Sequence, residues 1–214
     1  MSAKLLPWSC FLLVPVVCVA MLLPQDDGTK NSFVCTVAVM FHAAILFFPI
    51  IAGVSAMDAV FFVKSRSRFI VEAQPPSVRL RLAIDRSLTI AAAGGMGILV
   101  SVGLAAIMTS MNGSHLRWDV WPYCAIVLMG ILAVSFLGSA LGLVIKSWFF
   151  PIVLVAGLYV ASAFEIPYIY LQTEALSSIW TPHPSLVEFS PWYLYSCLGL
   201  HGCMAVLGLC IQAL

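Results

Sequence analysis

Apolar runs long enough to cross a bilayer recur along the whole chain, and no other feature constrains its fold as strongly. A helix rises about 1.5 Å per residue, so roughly 20 apolar residues match the ~30 Å hydrocarbon layer, inside which every backbone N–H and C=O must be paired within the segment. Such runs read at residues 5–23, 33–57, 88–111, 120–145, 148–170 and 191–214. They lack the period-two alternation of barrel strands, which argues against a β-barrel. Charged residues make up 9% of the chain, whereas a soluble surface needs about 25%. Mean hydropathy is +1.06. The expectation is a single all-α polytopic membrane domain, 1–214, with six transmembrane helices.

One polar island of any length interrupts the pattern, Lys64–Arg86, KSRSRFIVEAQPPSVRLRLAIDR. It holds six of the ten Lys and Arg residues: Lys64, Arg66, Arg68, Arg79, Arg81 and Arg86. Lys and Arg beside a span resist translocation, so a basic loop stays on the cytoplasmic side. With six spans both termini fall on that side too. Lys4, Lys64, Arg66, Arg68, Arg79, Arg81, Arg86 and Lys146 are then inside, against Lys30 and Arg117 outside. Trp121, Tyr168, Tyr170, Trp180, Trp192 and Tyr193 gather where the outer interface should lie. The first run has the basic start of a secretory signal, but it is longer than a signal's apolar core and no small-x-small cleavage site follows.

Catalytic patterns are missing. Gly142-Leu-Val-Ile-Lys146-Ser147 ends in Lys-Ser but has Ile145 where a Walker loop requires glycine, so no nucleotide site is expected in this chain. No H-E-x-x-H, G-x-S-x-G or Gly-rich dinucleotide pattern occurs. The seven cysteines all lie in apolar runs without a C-x-x-C pair and read as small core or lipid-facing residues. His42 and His201 stand alone in the second and sixth runs and read as packing residues before heme ligands. No basic-aromatic surface suited to nucleic acid is present.

Two carboxylates interrupt longer apolar stretches, Asp58 and Glu165. Glu165, near the outer end of the fifth, is a candidate pathway or gating residue. Asp58, at the inner end of the second, poses the same question, with pairing to Lys64 or Arg86 as the ordinary reading. Asn112-Gly113-Ser114 matches the glycosylation pattern. Ala91-Ala92-Ala93-Gly94-Gly95-Met96-Gly97 and Gly138-x-x-x-Gly142 are small-residue signals for close helix packing.

Within the island, Val63–Ala73 can form a short helix with Phe69, Ile70 and Val71 on an apolar side and Lys64, Arg66, Arg68 and Glu72 on a polar one. Pro75-Pro76 stops it, and Ser77 can cap the next helix. Such a helix can simply anchor the chain at the membrane surface. The arrangement of short helix, proline, Ser-x-Arg and a basic entry to the third span also resembles the permease subunit of type-2 ABC exporters. So do the six-span layout, the longer outer segment Leu171–Ser190, and Ser190-Pro191-Trp192 at the entry to the last span. It departs from that family where Ser65-Arg66-Ser67-Arg68 replaces a Glu and Gly pattern, and where four residues precede Leu5 instead of an amphipathic helix.

The resemblance implies a plasma-membrane exporter moving an amphipathic or hydrophobic cargo such as a peptide, drug or lipid. It implies a cytoplasmic coupling helix at 64–86, short outer helices between spans five and six, and a second permease chain, identical or homologous, in a membrane-lipid setting. A cytosolic P-loop ATPase subunit would hold ATP and magnesium, leaving this chain without a cofactor of its own. Arg66, Arg68, Phe69, Glu72 and Arg79 are then the expected ATPase contacts. A non-transporting scaffold or sensor, a heme-handling protein, and a membrane enzyme using Glu165 or the histidines are the alternatives.

Overall fold

Helix is dictated wherever the chain is apolar, and the computed structural model shows how those helices settle on one another. It describes residues 5–25, 32, 33, 36, 37, 39, 43–64, 75–113, 121–163 and 191–213. Among these there are six helices and no strand: α1 Leu5–Leu22, α2 Ala44–Lys64, α3 Pro76–Met111, α4 Trp121–Ile145, α5 Phe150–Ala163 and α6 Pro191–Ala213. Three of them, α2, α3 and α4, are long and apolar enough to cross a membrane; α1, α5 and α6 contain shorter apolar stretches. The exterior is apolar as well, with Trp8, Leu12, Val16, Ile107 and Ile152 exposed. Those features point to a membrane protein.

Close approaches fix the direction of each helix. Gly138 and Gly142 of α4 meet Ala52 and Ala56 of α2, so these two run parallel. Gly208 of α6 meets Phe136, and His201 faces Gly130, which makes α6 parallel to α4. Asp58 of α2 joins Arg86 of α3, while Ile51 lies by Gly94, an antiparallel pair. Gly97 of α3 meets Phe11 and Val14 of α1, and Cys18 sits beside Ser101, so α1 runs with α3. Phe61 meets Trp148 and Gly53 meets Val155, which sets α5 against α2. Directions therefore alternate along the chain. The starts of α1, α3 and α5 and the ends of α2, α4 and α6 share one end of the bundle, called here the basic end.

Small residues make these seams. A Cβ built on Gly138 would lie 2.3 Å from the Ala52 carbonyl oxygen, and one on Gly142 would lie 2.4 Å from that of Ala56. The glycine pair thus packs within the chain, backbone against backbone. In α3, Gly94 and Gly95 make room for the Ile131 and Leu128 side chains, and Gly97 meets Val14 and the Phe11 carbonyl of α1. Between the helices lies a core built around Val14, Val37, Phe47, Ile51, Ile98 and Ile131. Hydroxyls inside α3 fold back on their own helix: Ser101 Oγ donates to the Gly97 carbonyl at 2.8 Å and Thr109 Oγ1 to that of Ala105 at 2.8 Å. That bonding spares them an unpaired group in an apolar setting.

The second run was expected to cross at 33–57 with its end projecting toward the basic island, and α2 runs on through Asp58 to Lys64, with Arg86 pairing Asp58. One boundary differs from the sequence reading. Ser77 was expected to cap α3, but the cap position is Pro75, with φ −55° and ψ 149°, no side-chain bond, and Pro76 at the first turn. Proline has its φ already set for a helix and no N–H that needs a partner, so no hydroxyl is required there.

Pro49 lies inside α2 and leaves the carbonyl four residues earlier without its usual N–H. One residue on, the Leu46 carbonyl accepts a hydrogen bond from the Tyr159 hydroxyl of α5. This bond ties the loosened turn to its neighbour. Tyr159→Phe is expected to cost about 0.6 kcal/mol and at most about 1.7 kcal/mol, the average and the maximum found for hydrogen bonds between membrane helices. Unfolding in mixed detergent micelles checks it, and an unchanged midpoint would remove the tie from the account.

Candidate functional site

The basic end is where charge, buried polar groups and aromatic rings converge. α3 has 36 residues and is about 54 Å long at 1.5 Å per residue. Its apolar part, from Leu88 to Met111, accounts for about 36 Å and suffices for the ~30 Å hydrocarbon layer. The first three turns therefore extend beyond it, with Arg79, Arg81 and Asp85 exposed. Asn112 and Gly113 stop the helix at the other end, where Gly113 takes φ +74°, a conformation that a side chain would strain.

Where α3 meets α2, Arg86 grips Asp58 with two parallel bonds. Nε donates to Oδ2 at 2.7 Å and Nη2 to Oδ1 at 2.6 Å. The Asp58 side chain is 8% exposed and that of Arg86 31%. The guanidinium also lies over the Phe62 ring, 4.8 Å from its centroid. A planar fork matched to a carboxylate fixes orientation as well as distance. The pair therefore sets the register of α2 on α3 across the intervening segment.

Beside it, Ser87 Oγ donates to the Ala83 carbonyl at 3.0 Å and accepts from Gln212 Nε2 at 3.2 Å. The same amide nitrogen donates to the Phe136 carbonyl at 3.1 Å. Gln212, in the last turn of α6, so joins α3 to α4. One polar layer links four helices: α2 through Asp58, α3 through Arg86 and Ser87, α4 through Phe136 and α6 through Gln212. Ser55 Oγ, Ser135 Oγ and Gln212 Oε1 are buried without a hydrogen-bond partner.

At a neighbouring corner Lys64 ends α2 with its Nζ 5.1 Å from the centroid of the Trp148 ring. Phe61 meets that ring edge-on at 4.7 Å. Lys146 closes α4 in the left-handed conformation, φ 53°, its N–H bonded to the Gly142 carbonyl at 3.1 Å. Lys146-Ser147 forms a tight turn that carries Trp148 and Phe149.

Of the residues singled out from the sequence, Asp58 and Arg79 lie at this end, one paired and one exposed. Arg66, Arg68, Phe69, Glu72, Glu165, His42 and the outer segment 171–190 lie outside the described residues. His201 is buried, its ring 6.4 Å from that of Phe48 and edge-on to it. Cys10 and Cys18 are buried, Cys203 and Cys210 are exposed, and none of the four is in a disulfide. Among the described residues no group of His, Cys, Asp and Glu could hold a metal ion.

Sequence reasoning missed Gln212 and Ser87. A lone amide in the final turn of an apolar run was a visible signal, but its partners come from α3 and α4 and no spacing rule connects them. No protein-family model, no curated protein and no solved structure matches the chain.

Proposed function

We propose that this chain is the membrane subunit of an exporter driven by a separate cytosolic ATPase, with the basic end as the docking face. Alternating helix directions support six crossings with both termini on the side of that face, and the lysine and arginine bias favours the cytoplasm for it. The resemblance to type-2 ABC permeases supplies the ATPase, a second permease chain and an amphipathic or hydrophobic cargo.

One observation carries the mechanical part of this reading. α3 is a single helix from the exposed Arg79 to Met111, clamped to α2 at Asp58. A force applied beyond the bilayer at Arg79 and Arg81 would be passed into the spans without a hinge. Arg66, Arg68, Phe69 and Glu72 would complete the contact from the preceding segment.

Reversing charge at Arg66, Arg68 and Arg79 together is expected to lower co-purification of the ATPase by at least about tenfold, since like charges across an interface cost several kcal/mol. Insertion into the membrane should be unchanged, because these residues lie outside the apolar runs. A purified chain without any ATPase, or one whose ATPase is retained by the variant, would defeat the proposal.

A static scaffold is the second reading, favoured by the tight glycine seams of α2, α4 and α6. Backbones in contact at Gly138, Gly142 and Gly208 resist sliding. ATP-dependent cargo uptake into inverted vesicles separates the two readings.

A further inference from the structure

We infer that the corner formed by Lys64, Lys146 and Trp148 is a binding site for the headgroup of an anionic phospholipid. It does not depend on the export reading. Both lysines are exposed beside one turn: Lys64 has its Nζ over the Trp148 ring, and Lys146 lies two residues before Trp148 in sequence.

The charge balance favours an anion. Two helices, α2 and α4, end here, and each C-terminus carries roughly half a negative charge, while the start of α5 brings roughly half a positive one. Two full lysine charges exceed that deficit, leaving the corner positive by about 1.5 charges. The described carboxylates at this end are Asp58 of α2 and Asp85 of α3, and Asp85 is exposed beside Arg81 and Arg86 in sequence. The described residues of α2, α4, α5 and the connecting turn hold only Asp58, which Arg86 already engages.

The level of the corner selects a lipid over a soluble anion. Val144 and Ile145 are exposed just before Lys146, and Phe149, Ile152 and Val153 just after Trp148. Apolar side chains this exposed on both flanks put the turn at the hydrocarbon boundary. Trp148 is 47% exposed and Phe149 76%. An indole packed against Phe61 and Lys64 suits the headgroup layer, where one part of the ring meets acyl chain and the other water. A phosphodiester at that height would meet both ammonium groups while its acyl chains lie along Phe149, Ile152 and Val153.

Native mass spectrometry of the detergent-solubilised full chain, titrated with dioleoyl phosphatidylglycerol or dioleoyl phosphatidylcholine, tests this. The glycerol lipid should bind more tightly than the choline lipid. Lys64→Gln with Lys146→Gln should weaken it by about 30-fold, roughly fivefold per lysine. Arg79→Gln with Arg81→Gln, at the same end but beyond the apolar part of α3, should leave it unchanged. Thermal unfolding in the choline lipid shows that the variants are folded, because the replaced side chains are exposed. Equal binding of the two lipids, equal weakening by the arginine pair, or full competition by inorganic phosphate would each overturn the assignment.

Discussion

Gly138→Leu is expected to unseat α2 from α4 and to cost about 3 kcal/mol or more, at or above the top of the usual range for overpacking. Leucine gains about 1 kcal/mol of helix propensity over glycine, which works in the opposite direction. The clash decides the sign. A Cβ at this position falls 2.3 Å from the Ala52 carbonyl oxygen, where ordinary contact begins near 3.4 Å. That oxygen belongs to the backbone and cannot rotate away, so the whole of α2 must retreat. A gap of about 1 Å forfeits up to half of each dispersion contact along the seam. Between apolar helices in lipid those contacts are most of what holds, because hydrocarbon offers no water to exclude.

Gly142→Leu should behave alike, meeting the Ala56 carbonyl at 2.4 Å. Gly157→Ala and Gly199→Ala are the controls, since nothing lies within 4 Å of a Cβ at either position. They should leave stability unchanged or raise it by up to about 1 kcal/mol. Detergent unfolding curves read all four, and a Gly138→Leu variant as stable as the controls would disprove the seam.

Arg86→Met should be the more damaging half of an asymmetric pair. It leaves the Asp58 carboxylate buried and unpartnered, a situation that costs about 3–5 kcal/mol in measured buried pairs. Asp58→Leu leaves Arg86 instead, and that side chain is 31% exposed. Its guanidinium can turn to water and keep the Phe62 ring, so a loss of about 1–2 kcal/mol is expected, the cost of an incompletely satisfied polar group. The double variant, Asp58→Leu with Arg86→Met, should recover most of the Arg86→Met loss, because apolar replacement of both partners is often neutral or better. Chemical unfolding of the three variants in one detergent gives the comparison. Equal single losses with no recovery in the double would show that the two residues act independently.

Recovery of stability need not mean recovery of geometry. The pair matches a planar fork to a carboxylate and so chooses one register of α2 on α3, whereas leucine and methionine accept several. Cysteine cross-linking between α2 and α3 should stay with one partner in the parent and spread over neighbouring positions in the double variant.

Much of the architecture was legible from residue type alone. Long apolar runs required helices, and Pro75-Pro76 required a break. Gly138-x-x-x-Gly142 announced a close approach without saying to what. Asp58 announced a partner, and Lys64 and Arg86 were both candidates on charge. The structure chose Arg86 because α3 lies antiparallel on α2 with its first apolar turn level with Asp58, while Lys64 is drawn over Trp148.

Gln212 marks where such reasoning stopped. Its two acceptors, Ser87 Oγ and the Phe136 carbonyl, belong to helices far away in sequence, and one of them is backbone that carries no residue-type signal. Local chemistry by itself determined that the chain forms apolar helices with a basic connection, since hydropathy and backbone pairing act within a single segment. Only the tertiary structure decided which small residues meet which carbonyls, which cation holds Asp58 and which lysines share a corner. Those choices depend on the relative height of helices, set jointly by all their contacts.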